Sequence, residues 1–359
     1  MKSAHYNPQP LDNVIGCLRS SRTDNSSARR LWNPIEELDK NLTETSPYRM
    51  DSATILTASA GFRRLGDKCQ VIPAALQHGD CRTRLVHSIG VAHVAKKIAR
   101  ILGLNEDLAE AIALCHDIGQ APFSHSSEIF FSTTIGRKFH HSTFGSVVLQ
   151  RIDNSGRGLN LTHQVLGGIP AHSRGDGPLF ASDGPPEWTA VMWSDKIEYV
   201  AADMEYFLAK GRDMSQYDHN LMRLYKWFGG TAVSMIDNCV NALCLETADK
   251  GYLGFDDSEA AKNFQRMLRI LYTEVYHDLN EEQKIWKMLP RMYDRLKVAF
   301  PDVDPAILMA LSTERDLEKI HAPRYQRHWL ELARQSFSPN LVRFLRKNPI
   351  DMTNSGLDW

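Results

Sequence analysis

Residues 82–115 carry apolar side chains on a helical period in two consecutive stretches, and this constrains the fold more than any other feature. The first stretch opens at Arg82-Thr83-Arg84-Leu85-Val86-His87-Ser88. It continues through Ile89, Val91, Ala92, Val94, Ala95, Ile98, Ala99, Ile101 and Leu102. The second runs from Glu106 to Cys115, with Leu108, Ala111, Ile112 and Leu114 on its apolar side, and Gly119 and Pro122 stop it. Two such helices need other helices to cover them. The same period dominates from about Ala53 to Asp213, with loops near 66–82, 119–127, 153–160 and 170–187. The last loop, with Gly175, Gly177, Pro178, Gly184, Pro185 and Pro186, reads as a long surface excursion. Helical spacing resumes over 216–359, as in Met267-Leu268-Ile270-Leu271 and Trp329-Leu330-Leu332. The expected fold is all-α. The pattern leaves room for one short β-hairpin near Gln70–Ile72, where Val71-Ile72 is bounded by Pro73.

With 359 residues, 43% of them hydrophobic, the chain can bury one large core or two smaller ones. A formal charge of −1 excludes a global basic field, so a polyphosphate or nucleic acid must be met by local clusters. Arg29-Arg30, Arg137-Lys138 and Arg343–Lys347 are such clusters, although basic runs more often form solvated faces. Six scattered cysteines without a CxxC pair suit free thiols in a reducing compartment. No apolar run approaches a membrane span and the polar N-terminus lacks a signal-peptide core, so the expected location is the cytoplasm, a eukaryotic nucleus also fitting. No Walker A loop, Rossmann fingerprint or HExxH helix occurs.

Chemistry gathers around His116-Asp117, at the end of the second helix. Imidazole and carboxylate suit a divalent cation, but the pair alone occurs by chance in many chains. His87 falls in the first turn of the preceding helix. Downstream, Asp195, Tyr199 and Asp203 recur every four residues on one helical face. His125 and Glu128 stand at i and i+3, where a carboxylate orients an imidazole. Arg84 lies one turn before His87, and sharing a motif with that residue favours a bidentate hold on phosphate over the ion pair common for an arginine at a helix start. Cys115 beside His116 reads as a small core residue.

A His, a His-Asp pair and a later Asp resemble the metal set of the HD phosphohydrolase superfamily. From Ser46 to Asp203 the chain is similar to its deoxynucleoside-triphosphate triphosphohydrolase branch, the dGTPase-like proteins. The resemblance rests on Arg63-Arg64-Leu65 with Lys68-Cys69-Gln70-Val71, Arg82-Thr83-Arg84-Leu85-Val86-His87-Ser88 and Pro122-Phe123-Ser124-His125 with Glu128. Phe139-His140-His141-Ser142, Gly158-Leu159-Asn160-Leu161-Thr162 and Asp195-Lys196-Ile197-Glu198-Tyr199 extend it. Gln120 stands where the family usually has a third histidine, His140 where it has glutamate, and Phe144 where it has glutamine.

The polar stretches of 1–45, including Ser20-Ser21 and Ser26-Ser27, read as a loosely ordered arm with one or two short helices, and the resemblance implies an HD core over 46–215 with C-terminal helices over 216–359 packed on it. It implies metal ligation by His87, His116, Asp117 and Asp195, the cation being Mn²⁺ or Mg²⁺, with Fe, Co or Ni also suited to these ligands. It implies that His125, Glu128 and His141 act in catalysis, the Phe139 register favouring His141 over His140. Arg64, Leu65, Gln70, Arg84, Lys196, Tyr199 and Asp203 would meet the substrate, with Tyr199 beneath the deoxyribose and Asp203 on its 3′-hydroxyl. The expected reaction releases deoxynucleoside and inorganic triphosphate from a dNTP, in a homo-oligomer of four or six subunits. Alternatives are another HD phosphohydrolase (a nucleotidase, or one acting on (p)ppGpp or cyclic nucleotides), or a nucleotide-sensing or single-stranded-DNA-binding protein with a degenerate site. Base preference is not legible in these motifs.

Overall fold

The structure, a computed structural model, describes residues 5–32, 46–71, 82–173, 184–276, 279–321 and 326–357. Among these the chain is all-α, as the periodicity predicts. In chain order the helices are α1 (Pro47–Ala58), α2 (Ala60–Arg64), α3 (Arg84–Leu102), α4 (Glu106–Cys115), α5 (Ser124–Ile135), α6 (His141–Val147), α7 (His163–His172) and α8 (Pro186–Ala209). There follow α9 (Asn220–Trp227), α10 (Ala232–Lys250), α11 (Glu259–Ile270), α12 (Leu279–Ala299), α13 (Pro305–Leu311), α14 (Glu314–His321), α15 (Trp329–Gln335) and α16 (Pro339–Lys347). None of the described helices is long and apolar enough to cross a membrane.

The expected helix at Glu106–Cys115 forms over those residues. The loop expected over 119–127 is shorter, because α5 already begins at Ser124. In place of a hairpin the described residues hold one antiparallel bridge, Cys69 with Thr83. Beside it the Gln70 N–H donates to the Arg82 carbonyl and the Arg84 N–H to that of Lys68, both at 2.9 Å. This pairing sets Lys68 against the start of α3. Ile72 and Pro73 of the expected hairpin lie outside the described residues, as do Cys81 and positions 174–183 of the expected surface excursion. The other cysteines, Cys17, Cys69, Cys115, Cys239 and Cys244, are free thiols.

The chain packs as two compact units. One comprises Met1–Ser27, Ile89–Ala113 and Ala171–Asp278, and the other Ala28–Ser88, Leu114–Pro170 and Leu279–Trp359. The core of the first is built on α8, whose Trp193 is fully buried against Phe255 (ring centroids 5.5 Å apart) and Phe264 (6.4 Å). The N-terminal residues are tied to this unit through backbone bonds, Gly16 N–H to the Ile101 carbonyl at 2.7 Å and Leu18 N–H to that of Leu102 at 2.9 Å. The expected loose arm is therefore anchored where it is described. Positions 1–4 and 33–45 of it lie outside the described residues.

In the second unit an aromatic row fills the space behind α5 and α6. Phe131 meets Phe139 at 5.1 Å and Phe139 meets Phe144 at 5.5 Å between ring centroids. Arg30 is held in the same unit by polar contacts. Its guanidinium binds the buried Asp51 at 2.6 Å, the Asn160 carbonyl at 2.7 Å and the Pro47 carbonyl at 3.1 Å. Its charge is spent inside the protein, which removes it from any surface basic cluster.

Gly119 fixes the approach of α6 to the end of α4. A Cβ at this position would land on the His141 carbonyl oxygen and the Gly145 amide nitrogen, both backbone atoms that cannot swing aside. Only glycine lets the two backbones touch, and the touch sets His141 beside Asp117. Gly119→Ala is expected to cost about 1–3 kcal/mol by forcing these backbones apart, read as a lowered midpoint in thermal or urea unfolding. An unchanged midpoint would show that the contact is slack.

Candidate active site

Helix α3 carries His87 in its first turn, and α4 ends one residue before His116. Nε2 of His87 lies 3.3 Å from Nε2 of His116. Oδ2 of Asp117 lies 3.8 Å from the first and 3.7 Å from the second. Ligand atoms about 2.0–2.2 Å from a common cation stand at about such mutual distances, so the three atoms present one face of a coordination shell. All three side chains are nearly inaccessible to solvent. The donor set, two imidazoles and a carboxylate, fits a divalent transition metal or magnesium better than a soft thiophilic ion.

Asp117 is also the electrostatic hub. Burial alone would raise its carboxyl, but Arg84, His116, His87 and His141 outweigh burial and hold it well below the usual carboxylate range. Arg84 Nη1 binds Asp117 Oδ2 at 2.5 Å and its Nη2 binds the Ser124 hydroxyl at 2.6 Å. Arg84 thus serves the ion pair that its position allowed. Its Nε stays buried without a hydrogen-bond partner among the described residues, as do Arg64 Nη2 and Gln70 Oε1. Buried polar atoms left unmatched are costly, and here three of them sit on residues that the motifs assign to substrate.

Glu128 joins two histidines. Its Oε1 accepts from the His141 backbone N–H at 2.8 Å and lies 2.7 Å from His141 Nδ1, while its Oε2 lies 3.3 Å from His125 Nδ1. The sequence paired Glu128 with His125, and the structure adds the tighter partner, His141. With Nδ1 of each ring turned to the carboxylate, each Nε2 faces away from it, and that of His141 lies 3.9 Å from Asp117 Oδ1. His125 is largely exposed, whereas His141 is mostly covered. Burial lowers the His141 imidazole, but the charge and hydrogen bond of Glu128 prevail and raise it above its ordinary value. Burial likewise raises Glu128, yet His141 and the bonds from both histidines bring it below the carboxylate range.

Asp195, Lys196, Tyr199 and Asp203 lie on α8, in the first unit, where Lys196, Tyr199 and Asp203 are buried. Two tyrosines absent from the sequence reading join them there. Tyr199 donates its hydroxyl to that of Tyr272 at 3.1 Å, and Tyr276 donates to Asp203 Oδ2 at 2.8 Å. Tyr272 and Tyr276 are four residues apart, on and just past a π turn over Leu271–Val275 that continues α11. That i, i+4 spacing was their only sequence signal. Leu65 is fully buried beyond α2, and Arg64 approaches Asp153 at 3.9 Å.

Lys68, Ser124 and Glu314 were also missed, although Lys68 and Ser124 stand inside quoted motifs. Cys115 is fully buried, and burial pushes its thiol well up, which suits a small core residue. An acidic trio in the first unit, Glu246, Asp256 and Asp257, is gathered around the Lys250 ammonium, which pairs with all three. Of the expected basic clusters, Arg137 pairs with Asp351 at 2.9 Å and Arg346 approaches Asp302 at 3.8 Å.

Residues 84–200 match the family model described as the HD domain. A deoxyguanosinetriphosphate triphosphohydrolase-like protein of Caldanaerobacter subterraneus subsp. tengcongensis is 34% identical over 271 residues, covering 69% of this chain and 77% of that protein. One of Desulfatibacillum aliphaticivorans is 34% identical over 260 residues (69% and 72%), and one of Clostridium tetani 42% identical over 159 (43% and 44%).

The Glu128–His141 pair has a testable signature. Glu128 is depressed, so its contribution to stability is present above its unfolded value of 4.5 and lost as pH falls through the folded one. His141 is raised, so its contribution is present below 6.5 and lost as pH rises through the folded value. In Glu128→Gln the imidazole keeps its burial and loses its counter-charge. Its titration, followed by NMR, is expected to move from above 6.5 to below it. A titration that stays put would mean that Glu128 does not govern His141.

Proposed function

This chain belongs to the HD-domain family of deoxyguanosinetriphosphate triphosphohydrolase-like proteins, and from that premise we propose that it hydrolyses deoxynucleoside triphosphates, dGTP-like in class, to deoxynucleoside and inorganic triphosphate. The observation that carries the reading is the joining of His87, His116 and Asp117 at 3.3–3.8 Å with Glu128, His125 and His141 in the same unit. His87, His116 and Asp117 would hold a divalent cation, Mn²⁺ or Mg²⁺ (or Fe, Co or Ni), and the family motif adds Asp195 as the fourth ligand. When bound, the cation supplies Lewis acidity towards water and a phosphoryl oxygen.

The protein's own groups do the rest. Water attacks the α-phosphorus, the bond from phosphorus to the 5′-oxygen breaks, and that oxygen leaves with a proton as the deoxynucleoside. Glu128 accepts from Nδ1–H of His125 and His141, which turns Nε2 of each ring to the reacting groups. His125 manages the proton of the attacking water or the leaving oxygen. His141, whose protonated form is favoured by Glu128, donates from Nε2 to a phosphoryl oxygen. Arg84 and Arg64 present guanidinium donors to the phosphates, with Lys196 as a further cation, and Gln70 and Leu65 line the sugar and α-phosphate. Tyr199 packs beneath the deoxyribose and excludes a 2′-hydroxyl by contact, while Asp203, oriented by Tyr276, takes the 3′-hydroxyl. In this reading the enzyme acts in the cytoplasm as a homo-oligomer, and single-stranded DNA is a candidate second partner through the exposed Arg343–Lys347 end of α16.

Product analysis decides the reaction. Incubation with Mn²⁺ or Mg²⁺ and each dNTP is expected to yield inorganic triphosphate, to stop with chelator, and to fall about 1,000-fold or more in Asp117→Ala. Pyrophosphate as product points to another HD phosphohydrolase. No turnover with metal bound, measured by calorimetry, points to a nucleotide-sensing protein. The sugar contact has its own readout. Tyr199→Ala is expected to narrow the preference for dGTP over GTP by about ten-fold or more, and an unchanged ratio would remove Tyr199 from discrimination.

A further inference from the structure

The turn that joins Asp117 to His125 is held by the C-terminal region, whose role the sequence left unread. Phe123 and Ser124 both adopt left-handed backbone angles, φ 63° and φ 51°. Such strained non-glycine residues persist only where their surroundings over-determine them. Glu314 supplies one restraint, its Oε1 accepting the Phe123 N–H at 2.9 Å across 191 residues of sequence. Lys68 supplies another, its ammonium donating to the Gln120 carbonyl and, at 3.4 Å, to that of Ala310 at the end of α13. Ser127 closes the turn from within by donating to the Pro122 carbonyl. Glu314 and Lys68 are each only 2% exposed, so neither is a surface charge placed there by chance.

Glu314 is itself fixed by its helix. It is the first residue of α14, whose start is closed by a reciprocal cap: Thr313 Oγ1 accepts from the Asp316 N–H at 3.1 Å, and the Thr313 N–H donates to Asp316 Oδ2 at 3.2 Å. A carboxylate on such a mount is a rigid acceptor. The turn it grips delivers Ser124 to Arg84 at 2.6 Å and begins the helix that carries His125 and Glu128.

We propose that Glu314 is a positioning residue for the hydrolytic reaction, holding the Gln120–Ser124 turn so that Asp117, Arg84, Ser124 and the His125–Glu128–His141 set keep their mutual geometry. This rests on the reading of that set as catalytic. The group that matters is the acceptor oxygen at the reach of a glutamate, with its charge secondary.

Two conservative variants separate these properties. Glu314→Gln keeps the length and an acceptor oxygen, and Glu314→Asp keeps the charge but withdraws it by one methylene. For the best dNTP, Glu314→Asp is expected to lower kcat about 10–100-fold, as about 1 Å of misplacement can, with KM changed less than about three-fold. Amide exchange in peptides covering 119–127 should quicken, while peptides from α11 stay unchanged. Glu314→Gln should stay within about five-fold of the parent in kcat, with parental exchange over 119–127. The opposite order, with Gln impaired and Asp intact, would show a charge-balancing role and overturn the proposal, as would parental exchange over 119–127 in Glu314→Asp. If the parent protein hydrolyses no dNTP, the proposed reaction fails, and the exchange comparison still decides whether Glu314 holds the turn.

Discussion

The buried charge of Asp117 is the constraint on which the second unit turns. A carboxylate removed from water must be compensated by several kcal/mol or be neutralised. Arg84, His87, His116 and His141 provide that compensation, and together they keep it ionised. Helix α3 starts where it does so that Arg84 and His87 arrive one turn apart, and Gly119 lets α6 come close enough to bring His141. The same compensation assembles a ligand face for a cation. In this unit charge balance and site geometry are one requirement.

From that hub the organisation runs outward through hydrogen bonds that span long sequence separations. Ser124 reaches Arg84, Glu128 gathers His125 and His141, and Glu314 and Lys68 grip the turn between Asp117 and α5. The strained residues Phe123 and Ser124 lie at the centre of this lattice of contacts. Strain concentrates where the proposed catalytic groups are presented, and the surrounding structure over-determines that segment. In the other unit a comparable economy appears around α8, where Tyr272 meets Tyr199 and Tyr276 donates to one oxygen of Asp203.

Several of these partners were beyond reach of the sequence for identifiable reasons. His140 and His141 are adjacent and chemically identical, and beyond the Phe139 register it is the backbone N–H and Nδ1 of His141, both on Glu128, that distinguish them. Arg84 was readable as a phosphate contact or an ion pair, and its geometry favours the pair with Asp117 while leaving Nε for a further acceptor. Glu314 carried a local signal, the Thr313–Asp316 cap, but a cap marks a helix start and says nothing of what the next residue touches. Arg30 looked like half of a surface basic pair, and burial against Asp51 turned it into an internal brace.

The sequence by itself determined the all-α class, the helix from Glu106 to Cys115 and the family, because period, stop residues and motif order are local properties written along the chain. It also named the residue types of a hydrolytic site. Only the tertiary structure decided that Glu128 is shared by two histidines, that Arg84 leans on Asp117, and that a carboxylate from α14 holds the turn between them. Those pairings join residues up to 191 positions apart. Which distant groups meet is set by how buried charges find compensation in a packed interior, and no local pattern encodes that.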